Sequence, residues 1–169
     1  MGASPGEPRS DLLFHPSLRK GISMNEKVAL LVEDNPDDVD LTLRSFQRHK
    51  IVNRVVVAKN GAEALDYLFQ KGPYAQREPG NPVLILLDLK LPKVDGIEVL
   101  RQIRSQELTK IIPVVVLTTS NEEKDKADSY ASGANSYVRK PVDFERFMEA
   151  TRQLGAYWLM LNEPPPLKT

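Results

Sequence analysis

The 169-residue sequence predicts an α/β fold, a parallel sheet wound on both faces by helices. Two observations predict it. Short runs led by the all-apolar VALLV read as strands buried on both faces, rather than alternating as in half-exposed strands. Between them lie stretches with apolar residues at helical spacing, and strict strand–helix alternation implies parallel strands joined by crossovers.

The elements follow in order from Met24. The run VALLV (Val28–Val32) is the first strand, and Pro36 in EDNPDD is placed to open a helix. Val39, Leu43 and Phe46 form the inner face of that helix. RVVVA (Arg54–Ala58) is the second strand, and NGAEALDYLF is a helix with Ala64, Leu65 and Leu68 inward. A Pro- and Gly-rich connection, Gln70–Pro82, leads to the third strand, VLILLD. GIEVLRQIR places Ile97, Leu100 and Ile103 on one face, and PVVVLT (Pro113–Thr118) is the fourth strand. NEEKDKADSYASG is the fourth helix, stopped by Gly133. SYVRK (Ser136–Lys140) is the fifth strand, and DFERFMEATRQLGAYWLML is the last helix, stopped at Pro164–Pro166. The domain therefore spans residues 24–161. Residues 1–23 read as a flexible lead-in, whether native extension, upstream start or expression remnant. Residues 162–169 form a Pro-rich tail.

Composition excludes several functions. With no cysteine, there is no disulfide, thiol nucleophile or Cys-ligated zinc. A reducing, cytoplasmic setting is expected. His15 and His49 make no metal or triad pattern. Lysine plus arginine number 23, as do aspartate plus glutamate, so no basic patch for nucleic acid stands out. No apolar run is long enough for a bilayer, and the N-terminus lacks a secretory apolar region. No phosphate-binding glycine loop follows the first strand, which sets aside a nucleotide or flavin binder.

The informative residues sit where strands end. Asp88 follows five apolar residues, an odd place for a charge unless something pairs with it. In this fold, groups at the carboxyl ends of strands share one crevice. Glu33 and Asp34, Asp88, Thr118 and Lys140 would meet there. Carboxylates at about 4 Å repel by roughly 4 kcal/mol per pair at an effective dielectric near 20. Lys140 supplies one positive charge, and an all-oxygen set suits Mg²⁺ for the remainder. The pocket is therefore suited to a phosphoryl group, with Asp88 as nucleophile and Thr118 and Lys140 on the phosphoryl oxygens.

The motifs LLVEDNPDD, LILLDLKLPKVDG, IPVVVLTTS and GANSYVRKP occur in that order, and from Lys27 to about Leu161 the chain resembles a bacterial response-regulator receiver domain. The resemblance implies a flavodoxin-like (βα)5 fold with strand order 2-1-3-4-5, and a phosphoacceptor switch rather than an enzyme. It implies that Asp88 is phosphorylated by a histidine kinase. Mg²⁺ would lie on Glu33, Asp34, Asp88 and the Lys90 backbone carbonyl. It further implies Tyr137 as a switch acting with Thr118, and a cis bond before Pro141. Lys90 and Ser120 would tune the loss of the phosphoryl group. The departures are Glu33 in place of the commoner Asp, and Thr119 where the family often has Ala. The sub-type is most similar to small regulators paired with bacterial phytochromes.

Only 28 residues follow Pro141 (169 − 141), which leads us to expect a stand-alone receiver acting by protein contacts. The segment AYWLML is apolar nearly all round, and Tyr157, Trp158 and Met160 are expected to anchor a homodimer. The rivals are a phosphatase with an aspartate nucleophile, disfavoured because Asp88 lacks a second Asp two residues on, and a phosphorylation-independent pseudo-receiver, disfavoured by the complete site set.

Overall fold

The computed structural model describes residues 27–51 and 54–166. The lead-in over residues 1–23 lies outside the described residues, as does the end of the tail. The predicted strands are β1 (Val28–Val32), β2 (Arg54–Ala58), β3 (Leu84–Leu87), β4 (Val114–Thr118) and β5 (Ser136–Arg139). Between them lie α1 (Pro36–Arg48), α2 (Gly61–Leu68), α3 (Gly96–Ser105) and α4 (Glu123–Ala131), and α5 (Phe144–Gly155) follows β5. All strand pairs are parallel and the order is β2-β1-β3-β4-β5, the predicted arrangement.

Successive strand residues face opposite sides, so the apolar runs build two cores. Leu30, Val32, Ile85 and Leu87 pack with Ala64, Leu68, Leu100 and Ile103 on one side. Ala29, Leu31, Leu84 and Leu86 pack with Leu43, Phe46 and Leu159 on the other. The side chain of Asn35 accepts from the amides of Asp37 and Asp38, satisfying donors that α1 leaves open, and Pro36 starts the helix as expected. Gly133 has φ +102 just past α4, the left-handed geometry of a helix stop.

Two expectations change. Ile97 is half-exposed, and Val99 takes the inner place beside Leu100 and Ile103. The helix turns 100° per residue, and the stripe facing the sheet runs through 96, 99, 100 and 103. The last helix is also not α-helical to its end: after Gly155 it becomes a π-helical segment, Ala156–Leu161. Glycine is a poor helix former, and an outside donor, the Lys27 ammonium, takes the Leu159 carbonyl at 3.0 Å.

The long connection is an ordered structure. The Arg77 guanidinium donates to the carbonyls of Tyr67, Leu68, Glu78 and Gly80 and lies 4.3 Å from the centre of the Tyr67 ring. It thereby caps the end of α2 and folds the loop upon itself.

Gly96 opens α3 against the chain that follows β3. A Cβ there would stand 2.3 Å from the Asp88 carbonyl oxygen and 2.6 Å from the Leu89 Cα, both backbone atoms. Overpacking of this kind costs about 1–3 kcal/mol. Gly96→Ala is expected to lower the urea midpoint without changing the slope of the transition. A variant with the wild-type midpoint would contradict this close approach.

Candidate functional site

Backbone pairing carries on one residue beyond three strands. The Glu33 amide donates to the Ala58 carbonyl at 2.9 Å, that of Asp88 to Val32 at 3.0 Å and that of Lys140 to Thr118 at 2.7 Å. The sheet ladder thus holds the residues that follow β1, β3 and β5 as firmly as strand residues, and turns them toward one crevice.

The Lys140 ammonium is the centre of that crevice. It donates to Glu33 Oε2 at 2.5 Å, to Asp38 Oδ2 at 2.9 Å and to Asp88 Oδ2 at 3.2 Å. Three donors meet three carboxylates, which is the full capacity of an ammonium. The Lys140 and Glu33 side chains are each 4% exposed. The other Asp88 oxygen accepts from the Leu89 amide at 2.7 Å, and Glu33 Oε1 accepts from the Asn35 amide at 3.1 Å. Asp38 is a member that sequence reasoning missed. Its signal was present in EDNPDD: two residues beyond the helix-opening proline, an acidic side chain in the first turn of α1 faces the strand ends.

Charge balance remains negative. Burial first, and then the neighbouring Asp88 charge, push Glu33 up to about 7, while contacts with Lys140 and the Asn35 amide pull it down. Burial alone would lower the Lys140 pKa, but Glu33, Asp88 and Asp38 outweigh it and hold the ammonium well above its ordinary value. Carboxylate oxygens of Glu33, Asp34 and Asp88 all lie within 4.8 Å of one another. Two charges at that distance repel by roughly 3–4 kcal/mol at an effective dielectric near 20. Asp34 is exposed and is not among the carboxylates bonded to Lys140. This set fits a hard divalent cation: oxygen donors only, one edge open to water, and more negative charge than one ammonium balances.

Beside Asp34 runs an open groove of about 530 Å³, lined among others by Lys90, Ile97, Arg101 and Asp125. Its other wall is the start of α4. Thr118 is fully buried, and its hydroxyl oxygen accepts from the Ser120 amide at 3.3 Å. Tyr137 is half-buried, and its hydroxyl donates to the Ser120 carbonyl at 3.0 Å. The two expected switch residues therefore meet on Ser120. Thr119 is exposed, turned away from the buried Thr118 and Ser120. The expected cis bond before Pro141 is not found: no described peptide bond is cis. The trans form is favoured by about 0.5–1 kcal/mol even before proline, and with it Lys140 already reaches all three carboxylates.

A receiver domain is what this fold and site define, and residues 29–152 match the family described as "Response regulator receiver domain". The chain belongs to that family. Among relatives, it is 42% identical over 141 residues to the "Probable methanogenesis regulatory protein FilR2" of Methanothrix harundinacea, covering 82% of this chain and 87% of that one. It is 39% identical over 133 residues to "Response regulator Rcp1" of Synechocystis sp., covering 79% and 89%. The Mn²⁺-bound structure of Rcp1 superposes with a TM-score of 0.78 at 38% identity, covering 83% of this chain and 99% of that one. "Bacteriophytochrome response regulator RtBRR" is 54% identical with a TM-score of 0.67, covering 83% and 85%. The protein is thus a receiver-domain response regulator of two-component systems, related to phytochrome-associated regulators.

Removing Lys140 leaves three carboxylates without their cation. Breaking a buried pair from one side costs roughly 3–5 kcal/mol. Lys140→Met is expected to melt well below wild type in chelator, and to gain more on addition of Mg²⁺ than wild type gains. Equal melting of the two proteins in chelator would refute the central role of this ammonium.

Proposed function

We propose that the protein accepts a phosphoryl group on Asp88 from a histidine kinase, assisted by Mg²⁺, and signals through protein contacts. One observation carries the reading. A buried lysine joins Asp88 to two further carboxylates, one at the end of β1 and one in the first turn of α1, with a metal-compatible oxygen set beside it. A carboxylate oxygen of Asp88 attacks phosphorus, and the bond from phosphorus to the donor imidazole nitrogen breaks. The electron pair stays on the imidazole, which takes up a proton, and the product is an acyl phosphate. Lys140 releases Asp88 Oδ2 and meets the charge on the phosphoryl oxygens. The Thr118 hydroxyl donates to one of them. Glu33, Asp34, Asp88 and the Lys90 carbonyl would hold Mg²⁺, which when bound supplies further positive charge to these oxygens.

The 54% identity to a bacteriophytochrome response regulator supports a phytochrome as the cognate kinase. Such a kinase draws its phosphoryl group from ATP, which supports a cytoplasmic setting for this reading. No helix among the described residues is long and apolar enough to cross a membrane. The equal counts of basic and acidic residues favour output by protein contact over nucleic-acid binding.

A homodimer through the C-terminal segment completes the reading. Tyr157, Met160 and Leu161 are 51%, 60% and 74% exposed on the π-helical segment. Trp158, by contrast, packs against the core and is less available than the sequence suggests. A two-fold contact would use each exposed residue twice.

With Mg²⁺ and acetyl phosphate, wild type is expected to gain one acid-stable, base-labile phosphoryl group detected by intact mass. Asp88→Asn is expected to gain none. Equal labelling of both would overturn the assignment. Asp34→Ala is expected to lose the rise in melting temperature that Mg²⁺ gives wild type, and an unchanged response would remove Asp34 from the metal set. In sedimentation, Tyr157→Glu/Met160→Glu is expected to be monomeric where wild type is dimeric. A monomeric wild type at high micromolar concentration, with and without phosphorylation, would refute the dimer.

A further inference from the structure

One of the carboxylates that hold the Lys140 ammonium does not come from a strand end. Asp38 stands in the first turn of α1 and accepts from Lys140 Nζ at 2.9 Å. Its backbone is fixed on both sides: its amide donates to Asn35 Oδ1 at 3.3 Å, and its carbonyl accepts from the Thr42 hydroxyl at 2.8 Å. The helix itself is anchored by buried Leu43 and Phe46, and the Ser45 hydroxyl donates to the Met148 carbonyl of α5 at 2.8 Å. An acid in the first turn of a helix also answers the positive end of the helix dipole. Asp37, one residue earlier, can do that from an exposed position, and it is not among the carboxylates bonded to Lys140.

A lysine ammonium sits on a flexible four-carbon stem, so its position is set by what it bonds to. The Lys140 backbone is fixed by its amide bond to Thr118, and Nζ is held by three carboxylates. The bonds to Glu33 and Asp38, at 2.5 and 2.9 Å, are the shorter two, and that to Asp88, at 3.2 Å, is the longest. With Glu33 alone, the ammonium could swing about a single contact. A second acceptor on an anchored helix removes that freedom, and the third donor is then aimed at Asp88. The Asp38 charge opposes an incoming phosphoryl group, but its side chain is 22% exposed against 4% for Glu33, so water and salt screen it more. Placement of the ammonium is therefore the larger effect.

We propose that Asp38 is a positioning residue for the transfer to Asp88: with Glu33 it keeps two of the Lys140 donors, so that the third passes from Asp88 Oδ2 to a phosphoryl oxygen while Nζ stays in place. The inference rests on the phosphoacceptor reading above. A donor already in place costs no reorganisation as charge moves onto the phosphoryl oxygens. Without Asp38, one ammonium proton turns to water, and the ammonium has to be recovered from a wider range of positions at each transfer. Asp38 is not one of the three carboxylates that fit the cation, and it acts through Lys140.

The test uses the full chain and two readouts. One is the rate of labelling with Mg²⁺ and acetyl phosphate. The other is the NMR signal of the Lys140 ammonium in unlabelled protein without metal, which is visible where its protons exchange slowly with water, as expected for wild type. Asp38→Ala is expected to label roughly tenfold more slowly, part of the ~100-fold that a misplacement of about 1 Å can cost, and to lose or broaden the Lys140 signal. Asp38→Asn keeps an acceptor oxygen and is expected to lie closer to wild type than to Asp38→Ala in both readouts. Asp37→Asn removes a charge from the same turn and is expected to match wild type. In a Lys140→Met background, Asp38→Ala is expected to slow labelling no further. Should Asp38→Ala fail to fold, Asp38→Ser, too short to reach the ammonium, carries the same expectation. A wild-type labelling rate or an unchanged Lys140 signal in Asp38→Ala would overturn the proposal. So would further slowing in Lys140→Met, or faster labelling in both Asp38→Ala and Asp38→Asn, since repulsion would then be the main effect. A wild type that takes no label would overturn the phosphoacceptor reading, and the transfer role with it, whatever the Lys140 signal shows.

Discussion

A single ammonium placed among carboxylates is the constraint on which the site depends. Lys140 bonds to Glu33, Asp38 and Asp88, which come from the ends of β1 and β3 and from the first turn of α1. Without it, a sheet whose strands end in acids would be pushed apart at that edge. With it, the edge is held together but left with net negative charge. That residual charge suits the site to a divalent cation. Under the proposed function, an incoming phosphoryl group would compete with the carboxylates for the same ammonium, and chemistry at Asp88 would then have a mechanical consequence.

The rest of the molecule keeps this arrangement in register. Ladder bonds past the strand ends fix the backbones of Glu33, Asp88 and Lys140. Gly96 lets α3 start directly against the Asp88 carbonyl. Behind the sheet edge, two apolar cores, one on each face of the sheet, bury the strands. Rigidity is not uniform, however. Helices α1, α2, α3 and α5 are held by buried apolar side chains, whereas α4 relies on polar contacts near Ser120 and Asp125. The helix with the least buried apolar surface is thus next to Ser120, on which Thr118 and Tyr137 meet.

Much of this was legible in the chain itself. Apolar runs such as VALLV and LILL determine the buried strands, because only a sheet covered on both faces can use them, whereas β5 (SYVR) is a half-buried strand at the sheet's edge. Acids and a lysine at the ends of such runs determine a shared crevice, and so the meeting of Glu33, Asp34, Asp88 and Lys140 could be named in advance. What tertiary structure decided concerns partners that are distant in sequence. Asp38 joins Lys140 across 102 positions, and Arg77 folds a loop that composition alone marks only as irregular. Whether Trp158 faces core or solvent, where Ile97 points, and how the last helix rewinds after Gly155 were likewise settled by packing. Periodicity assigns a residue to a face of its own helix. It does not say which neighbour that face will meet, and burial and hydrogen bonding are properties of the neighbour as much as of the residue.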